Sequence, residues 1–446
     1  MTPSPDERAK GGSRRGSIIA ASLMVASIGV VFACNLGRDH APPPALPPAP
    51  SAPPPVATEV APPVVSAQAP PPVVASPILR ERTPGHELDN FYEALRGLEK
   101  KTRAEHARVF WYGDSHAAAD FWSGAFRAAL QKRFGDGGPG FTHVGFKAYR
   151  HEGLRLENKG SWHVKPRGPS TVVPTGDGVL GLGGVLLGPY EGGQAVITVA
   201  DPALPKKLTW DFCYKLGSAR DEIALEVTGG SPVTVKQNAG EELNVLRHVS
   251  LESKGAGPVF HAAPTSGLPE FCGVVIEADP HEQAGVVVDQ MGINGARLAT
   301  QLAWDERAWV TEAKRRSASL VVLEYGTNEA SDEKTKPEAF AQNMARVMAR
   351  MRAASPACDC LVLSNTERAD RQDKTLEVQS ALKAAARASG CGFWDTYAAM
   401  GGKGGILQWR GETSPRASPD GIHLTARGYR ELGDKLATDV LSAYVP

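Results

Sequence analysis

Strand-like and helix-like segments alternate along this chain and are interrupted once by a long stretch without helical periodicity, which predicts an α/β protein with an all-β insertion. Apolar runs of strand length at 109–112, 320–325, 360–365 and 392–395 each end in a turn, while 118–134, 337–354, 374–389 and 425–444 carry apolar residues at helical spacing. Such alternation implies a parallel sheet covered by helices on both faces, with reactive groups at the C-terminal ends of the strands. Between about Arg150 and Ala284 the texture changes to short runs rich in Val, Leu and Thr, such as Val196-Ile197-Thr198-Val199 and Ile223-Ala224-Leu225-Glu226-Val227, separated by Gly, Pro, Asp and Asn. That pattern predicts a sandwich-like β domain inserted into the sheet-forming chain.

In chain order, residues 1–34 read as an export signal or anchor. Arg14 and Arg15 precede an uncharged apolar stretch over 18–33, which is short for a membrane span of roughly 20 residues but suits a signal core. Val31-Phe32-Ala33-Cys34 resembles a lipoprotein cleavage box with Cys34 as the acylated residue, although Phe32 fits that box poorly; the competing reading is an uncleaved N-terminal anchor. Residues 35–79 are dominated from Ala41 onward by Pro, Ala and Val, with runs such as Pro42-Pro43-Pro44 and Pro70-Pro71-Pro72, and predict an extended polyproline-like spacer. Membrane contact is expected only through the N-terminal segment. Folded sequence is expected from about Arg80, where Leu88, Phe91, Leu95 and Leu98 mark a helix over 87–101 ahead of the first strand. On this reading the first part of the α/β domain covers 80–149, the β-rich insertion 150–284 and the second part 285–446.

Chemistry concentrates in the turns. The run 109–112 passes through Gly113-Asp114-Ser115-His116 into a helix-like stretch, a geometry that presents a nucleophile. Tyr325-Gly326-Thr327-Asn328-Glu329 follows a second strand-like run, and Ser418-Pro419-Asp420-Gly421-Ile422-His423-Leu424-Thr425 lies near the C-terminus. A serine hydroxyl attacks an ester only when a neutral imidazole takes its proton, and the imidazole works best when its other nitrogen donates to a carboxylate. Ser115, His423 and Asp420 fit these roles, the last two together on one tight turn. The oxyanion that forms needs donors in place. The N–H of Ser115 is one, a glycine N–H that no side chain screens is a second, with Gly295 in Gly292-Ile293-Asn294-Gly295-Ala296 as the candidate, and the side-chain amide of Asn328 is a third. Each block alone is most often a plain turn. Four in order, each after a strand-like run or before a helix-like one, point to acyl transfer. His116 is read as a bystander.

In their order, Gly113-Asp114-Ser115, Gly295, Gly326-Thr327-Asn328 and Asp420-Gly421-Ile422-His423 resemble the four blocks of the SGNH (GDSL-like) hydrolases. Gly113-Asp114-Ser115-His116, Tyr325-Gly326-Thr327-Asn328-Glu329-Ala330 and the stretch from Asp420 through Gly428 and Tyr429 look like the peptidoglycan O-acetylesterase branch. The resemblance implies a three-layer α/β/α, flavodoxin-like sheet. It implies Ser115 as nucleophile, Asp420 and His423 as the rest of the triad, and Ser115, Gly295 and Asn328 as oxyanion donors. It also implies a β-rich, carbohydrate-module-like insertion between the serine and glycine blocks. Where the family usually has Gly-x-Asn-Asp, Glu329 replaces the aspartate, as fits the acetylesterase branch.

The resulting expectation is a metal-independent, cofactor-free serine esterase of the cell envelope, exported to the periplasm or cell surface, that removes acetyl groups from peptidoglycan or a related glycan. The same motifs leave open a glycan O-acetyltransferase, a lipase or thioesterase, and a non-catalytic glycan-binding surface protein. The 446 residues, 42% of them hydrophobic, allow two domains beyond the linker, and a formal net charge of +0 gives no basic field for nucleic acid. The expected partner is an O-acetylated glycan or a small ester. Cys358-Asp359-Cys360 lacks the usual partners of a zinc site. With Cys34 lipidated an odd number of cysteines remains; Cys213 and Cys272 are a candidate bridge, and Cys391 has Cys358 or Cys360 as candidates. Trp162, Tyr190, Trp210 and Tyr214 are candidates for stacking on sugars, with core packing as the commoner use of such aromatics.

Overall fold

The computed structural model describes residues 86–147, 149–190, 192–200 and 207–446. The export signal, Cys34 and the spacer, residues 1–79, lie outside the described residues. The chain runs through α1 (Asp89–Glu99), β1 (Ala107–Gly113), α2 (Ser115–Ala118) and α3 (Phe121–Phe134). It then forms β2 (Gly140–Thr142), β3 (Leu154–Lys159), β4 (Trp162–Lys165), β5 (Leu186–Pro189), β6 (Gln194–Val199), β7 (Lys207–Lys215), β8 (Glu222–Val227), β9 (Val233–Lys236), β10 (Leu246–Lys254), β11 (Val259–Ser266) and β12 (Glu270–Glu277). It returns through α4 (Pro280–Gln283), β13 (Val286–Gly292), a 3-10 turn (Leu298–Ala303), α5 (Glu306–Arg316), β14 (Leu320–Glu324), α6 (Pro337–Ala354), β15 (Asp359–Leu363), α7 (Gln372–Ala388), β16 (Gly392–Trp394), α8 (Thr396–Ala399), α9 (Gly405–Arg410) and α10 (Ala426–Ser442).

The order β13-β1-β14-β15-β16, parallel throughout, is the doubly wound sheet that the alternation predicts. Every residue of β13, β14 and β15 is buried, which requires cover on both faces. Phe91 of α1, Trp122 and Phe126 of α3 and Leu432 of α10 cover one face. Trp309 of α5, Met344 and Val347 of α6 and Leu382 of α7 cover the other. Gly113 stands opposite Gly292 on one side and Glu324 on the other, so three loops leave the sheet at one level: those carrying Ser115, Gly295 and Asn328. The helix expected over 118–134 is broken, because Asp120 takes a left-handed φ of 50° and α3 starts only at Phe121. A buried ion pair with Arg127, 2.8 Å long, and a hydrogen bond from Ser123 at 2.6 Å hold Asp120 in that conformation.

The β layer is two facing sheets. One is β10-β7-β12-β5-β4 with β2 added on β12, and the other is β3-β6-β11-β8-β9. Ile197, Phe212, Leu225, Phe260 and Val274 fill the space between them, and Trp210 and Tyr214 are buried in the same core. Of the four aromatics considered for sugar stacking, Tyr190 is exposed. The layer begins at Gly140, ahead of the change in texture near Arg150, because Phe141 and Thr142 pair with Val275 and Val274. So short a strand leaves too little pattern to read. The six-stranded sheet also packs onto the α/β core. Leu182, Leu187, Cys213, Cys272 and Val275 share one apolar cluster with Tyr112, Trp304 and Trp309. The Tyr112 hydroxyl donates to the Leu182 carbonyl (3.0 Å) and accepts from Trp309 Nε1 (3.2 Å). The insertion is thus a layer whose removal opens the hydrolase core.

Cys213–Cys272 joins β7 to β12, and Cys360–Cys391 fixes β15 to the approach of β16, which decides between the two partners open to Cys391; Cys358 remains a buried thiol. A charged network adds to the docking of the insertion. His248 on β10 lies 2.8 Å from Glu312 of α5 and 3.2 Å from Asp211 of β7, and Arg315 reaches Asp211 at 3.0 Å. Burial alone would pull the imidazole pKa down, but hydrogen bonds to Asp211 and Glu312 outweigh it and hold it up at about 9. A histidine raised above its free value of 6.5 contributes stability that is complete below that pH and is lost as pH rises towards 9. Between those limits the Tm of the wild type is expected to fall by several degrees more than that of His248→Gln. Parallel melting curves for the two proteins would remove the network from the account.

Candidate active site

Asp114 caps α2, accepting from the His116 backbone N–H at 2.9 Å, and so presents Ser115 in the first turn beyond β1. Gly113 before it has no room for a side chain: a Cβ there would meet Glu324 Oε2 at 2.5 Å and Ala117 Cβ at 2.7 Å. Ser115 Oγ lies 2.8 Å from His423 Nε2, and His423 Nδ1 lies 2.7 Å from Asp420 Oδ2. The other oxygen of Asp420 accepts from the backbone N–H groups of Ile422 (2.9 Å) and His423 (3.0 Å), so the loop carrying both groups closes on itself. Partial burial pushes the Asp420 carboxyl up, but the hydrogen bonds from His423 and those two N–H groups prevail and hold it below its ordinary value. It is therefore an anion when His423 needs one. The side chains of Asp420 and His423 are 46% and 39% exposed, which puts the triad on an open rim.

Gly295 sits at φ +79° beside this turn, with the Ser170 hydroxyl 3.3 Å from where a Cβ would be. Among the described residues the N–H groups of Ser115 and Gly295 donate to no acceptor. Asn328 Nδ2 is already engaged, donating to Asp114 Oδ2 (3.2 Å) and to the Ala296 carbonyl (2.9 Å). The structure thus brings together all five candidates, Ser115, His423, Asp420, Gly295 and Asn328. An oxyanion must, however, compete for the amide protons of the last.

Four residues around them were given no role from the sequence. His116, read as a bystander, is fully buried with its ring centroid 5.1 Å from that of His423. Its Nδ1 lies 2.7 Å from the Tyr429 hydroxyl and its Nε2 3.2 Å from Thr366 Oγ1. Burial first, and then the neighbouring His423, push its pKa down to about 3, so a neutral ring backs the imidazole of the triad. Glu329 accepts from the Leu298 N–H (2.9 Å) and the Gly326 N–H (3.0 Å), clipping the Asn328 loop to the Gly295 loop. Asp114 lies beneath the nucleophile, its pKa raised to about 8 by burial and by the nearby Glu329. Glu324, at the end of β14, is pushed well above the carboxylate range by burial and then by Asp114. An aspartate at a helix cap and an acid next to Asn328 are signals that the sequence contains; the packing of Tyr429 and Thr366 on His116 is not.

Cys213, His248 and Glu312 bring potential metal-binding atoms within 4.8 Å of one another. The donor set does not suit a metal, since the Cys213 sulfur is bonded to Cys272 and His248 is taken up by carboxylates. EDTA is accordingly expected to leave esterase activity intact; loss of activity that zinc or another divalent ion restores would show the mechanism to be misassigned.

The pattern of the GDSL-like Lipase/Acylhydrolase family matches residues 266–431. The chain is similar to a solved peptidoglycan O-acetylesterase, with 27% identity over 80% of this chain and 96% of that one and a TM-score of 0.66. Two acetyl xylan esterases, the second from Geobacillus stearothermophilus, share 16% and 12% identity; each match covers 36% of this chain, and 83% and 73% of the other, at TM-scores of 0.29 and 0.28. No curated protein sequence matches. With its parallel sheet, its additional antiparallel sheets, the family pattern over 266–431 and the likeness to the O-acetylesterase, the chain is a carboxylic ester hydrolase of the SGNH (GDSL-like) superfamily, on the O-acetylesterase-like branch.

Proposed function

We propose that this protein is a cell-envelope serine esterase that removes O-acetyl groups from peptidoglycan or a related glycan. The observation that carries the reading is the extent of the likeness to a peptidoglycan O-acetylesterase: at 80% of the chain it takes in more than the two hydrolase segments can make up, so it includes the β insertion. The open rim of the triad is in keeping with an ester borne on a polymer.

In this reading Ser115 Oγ attacks the acetyl carbonyl as its proton passes to His423 Nε2, and Asp420 stabilises the imidazolium through Nδ1. The carbonyl oxygen becomes an anion that receives the N–H groups of Ser115 and Gly295, and Asn328 turns one amide proton to it. His423 returns the proton to the departing sugar oxygen, leaving acetyl-Ser115. Water, deprotonated by His423, then releases acetate and restores the serine.

Export, through a lipidated Cys34 or an anchor over 18–33, belongs to the same proposal and is supported by the two disulfides, which persist in oxidising compartments. The deciding experiment measures acetate released by the full chain from O-acetylated peptidoglycan and from the same material after chemical de-acetylation. Release from the first alone is expected. No release from the first, with an aryl acetate still cleaved, would overturn the substrate while leaving the esterase, and acetyl transfer to added glycan would mark a transferase instead.

A further inference from the structure

We infer that the cleft beside the oxyanion loops is a subsite for a carboxylate carried by the glycan, built jointly by the β insertion and the start of α6. The inference deepens the acetylesterase reading and takes the ester-bearing glycan from it.

The segment between β4 and β5 belongs to the insertion but is pinned to the hydrolase at two points. Thr300 Oγ1 donates to the Ser170 carbonyl at 3.0 Å, and the Asp305 N–H donates to the Gly178 carbonyl at 2.9 Å. Between the pins Val172 and Val173 are 42% and 64% exposed. A Cβ added to Gly295 would lie 3.3 Å from the Ser170 hydroxyl, so the insertion closes up against the oxyanion loop. Two residues on, Val172 lines a cleft of about 320 Å³ together with Arg297, Lys334, Lys336 and Phe340. Arg297 stands just past Gly295 in the chain, and Glu329, also at the cleft, directly follows Asn328. A group bound here is therefore next to the reacting ester.

The charge of the cleft is unbalanced. Asp332 is paired with Arg297 at 2.9 Å. Both oxygens of Glu329 are committed to backbone N–H groups, and burial pushes its carboxyl up towards the neutral form. Lys334 and Lys336 remain as the excess, and Lys336 is the N-cap of α6, whose first turn no side chain caps. The positive end of this 18-residue helix adds to the same field, offset in part by Glu338 in its first turn, which is not among the residues lining the cleft. The same cleft is lined by the apolar surface of Val172. A cleft lined by both lysines and an apolar surface suits an acidic sugar derivative: the carboxylate meets the lysines and the ring or its alkyl substituent lies on valine. A neutral polysaccharide would use only half of the site.

The test compares kcat/KM on O-acetylated peptidoglycan with kcat/KM on a neutral aryl acetate, using the full chain. Two forms of the polymer separate the sources of the carboxylate, one with stem peptides intact and one stripped by an amidase so that the lactyl carboxylate is bared. In Lys334→Gln/Lys336→Gln the ratio is expected to fall about tenfold on at least one form, as the loss of two exposed charge contacts allows. Added salt should lower the wild-type ratio in the same direction. Val172→Asp, which sets a charge like that of the ligand carboxylate in the lining, should lower it too, whereas Lys132→Gln at the far end of α3 should not. An unchanged ratio in both cleft variants, or an equal fall in numerator and denominator, overturns the subsite. If the wild type releases no acetate from either peptidoglycan, the substrate reading fails by itself. The cleft is then judged by the same ratio on acetylated pectin, a carboxylated glycan of another kind.

Discussion

Ser115→Ala and His423→Ala are each expected to lower kcat on an aryl acetate by on the order of 10^4-fold or more, and the double variant scarcely further, because nucleophile and base act as a unit. The geometry behind this is one unbroken line from Ser115 Oγ through His423 to Asp420, 2.8 Å and 2.7 Å long. Asp420→Ala should cost less, since the carboxylate orients and stabilises the imidazole without taking the proton, and the neutral ring of His116 still backs His423. Steady-state kinetics on variants shown to be folded by circular dichroism make the check. Wild-type rates in folded Ser115→Ala would discard the triad, and additive losses in the double variant would mean that the two side chains serve separate steps.

Asn328→Ala is expected to lower kcat by about 100-fold or more with little change in KM, as a donor to the transition-state oxyanion must. The resting contacts of Asn328 add a second consequence. Its amide donates to Asp114 and to the Ala296 carbonyl, so truncation also leaves a buried carboxyl without that donor and should destabilise the fold by about 1–3 kcal/mol. The two effects are read separately, by kinetics and by denaturant unfolding. A rise in KM with kcat intact would make Asn328 a substrate contact, and a loss of stability with normal kinetics would leave it a purely structural link between the serine and glycine loops.

Much of this molecule was determined by sequence alone. Strand and helix periodicities differ, so α6, α10 and the buried runs of β1, β14 and β15 were readable from local spacing. The triad and oxyanion candidates were readable because each lies in a short turn whose residue types are dictated by backbone shape and by the chemistry of acyl transfer. Where the readings stopped short, the cause was a contact between segments far apart in the chain. Helix α5 carries few apolar residues, and its Glu312 and Arg316 are buried only because the insertion and β13 supply His248 and Asp289 as partners. The break before α3 depends on Arg127 holding Asp120, and the start of the β layer at Gly140 depends on β12, far downstream. The environment of the site is of the same kind. His116 is neutral because Tyr429, Thr366 and His423 enclose it, and the cleft by Lys336 exists because a loop of the insertion is pinned to Thr300 and Asp305. Local pattern determines which residues can react; burial and the neighbours across the fold, which a linear pattern does not encode, decide their protonation and what can reach them.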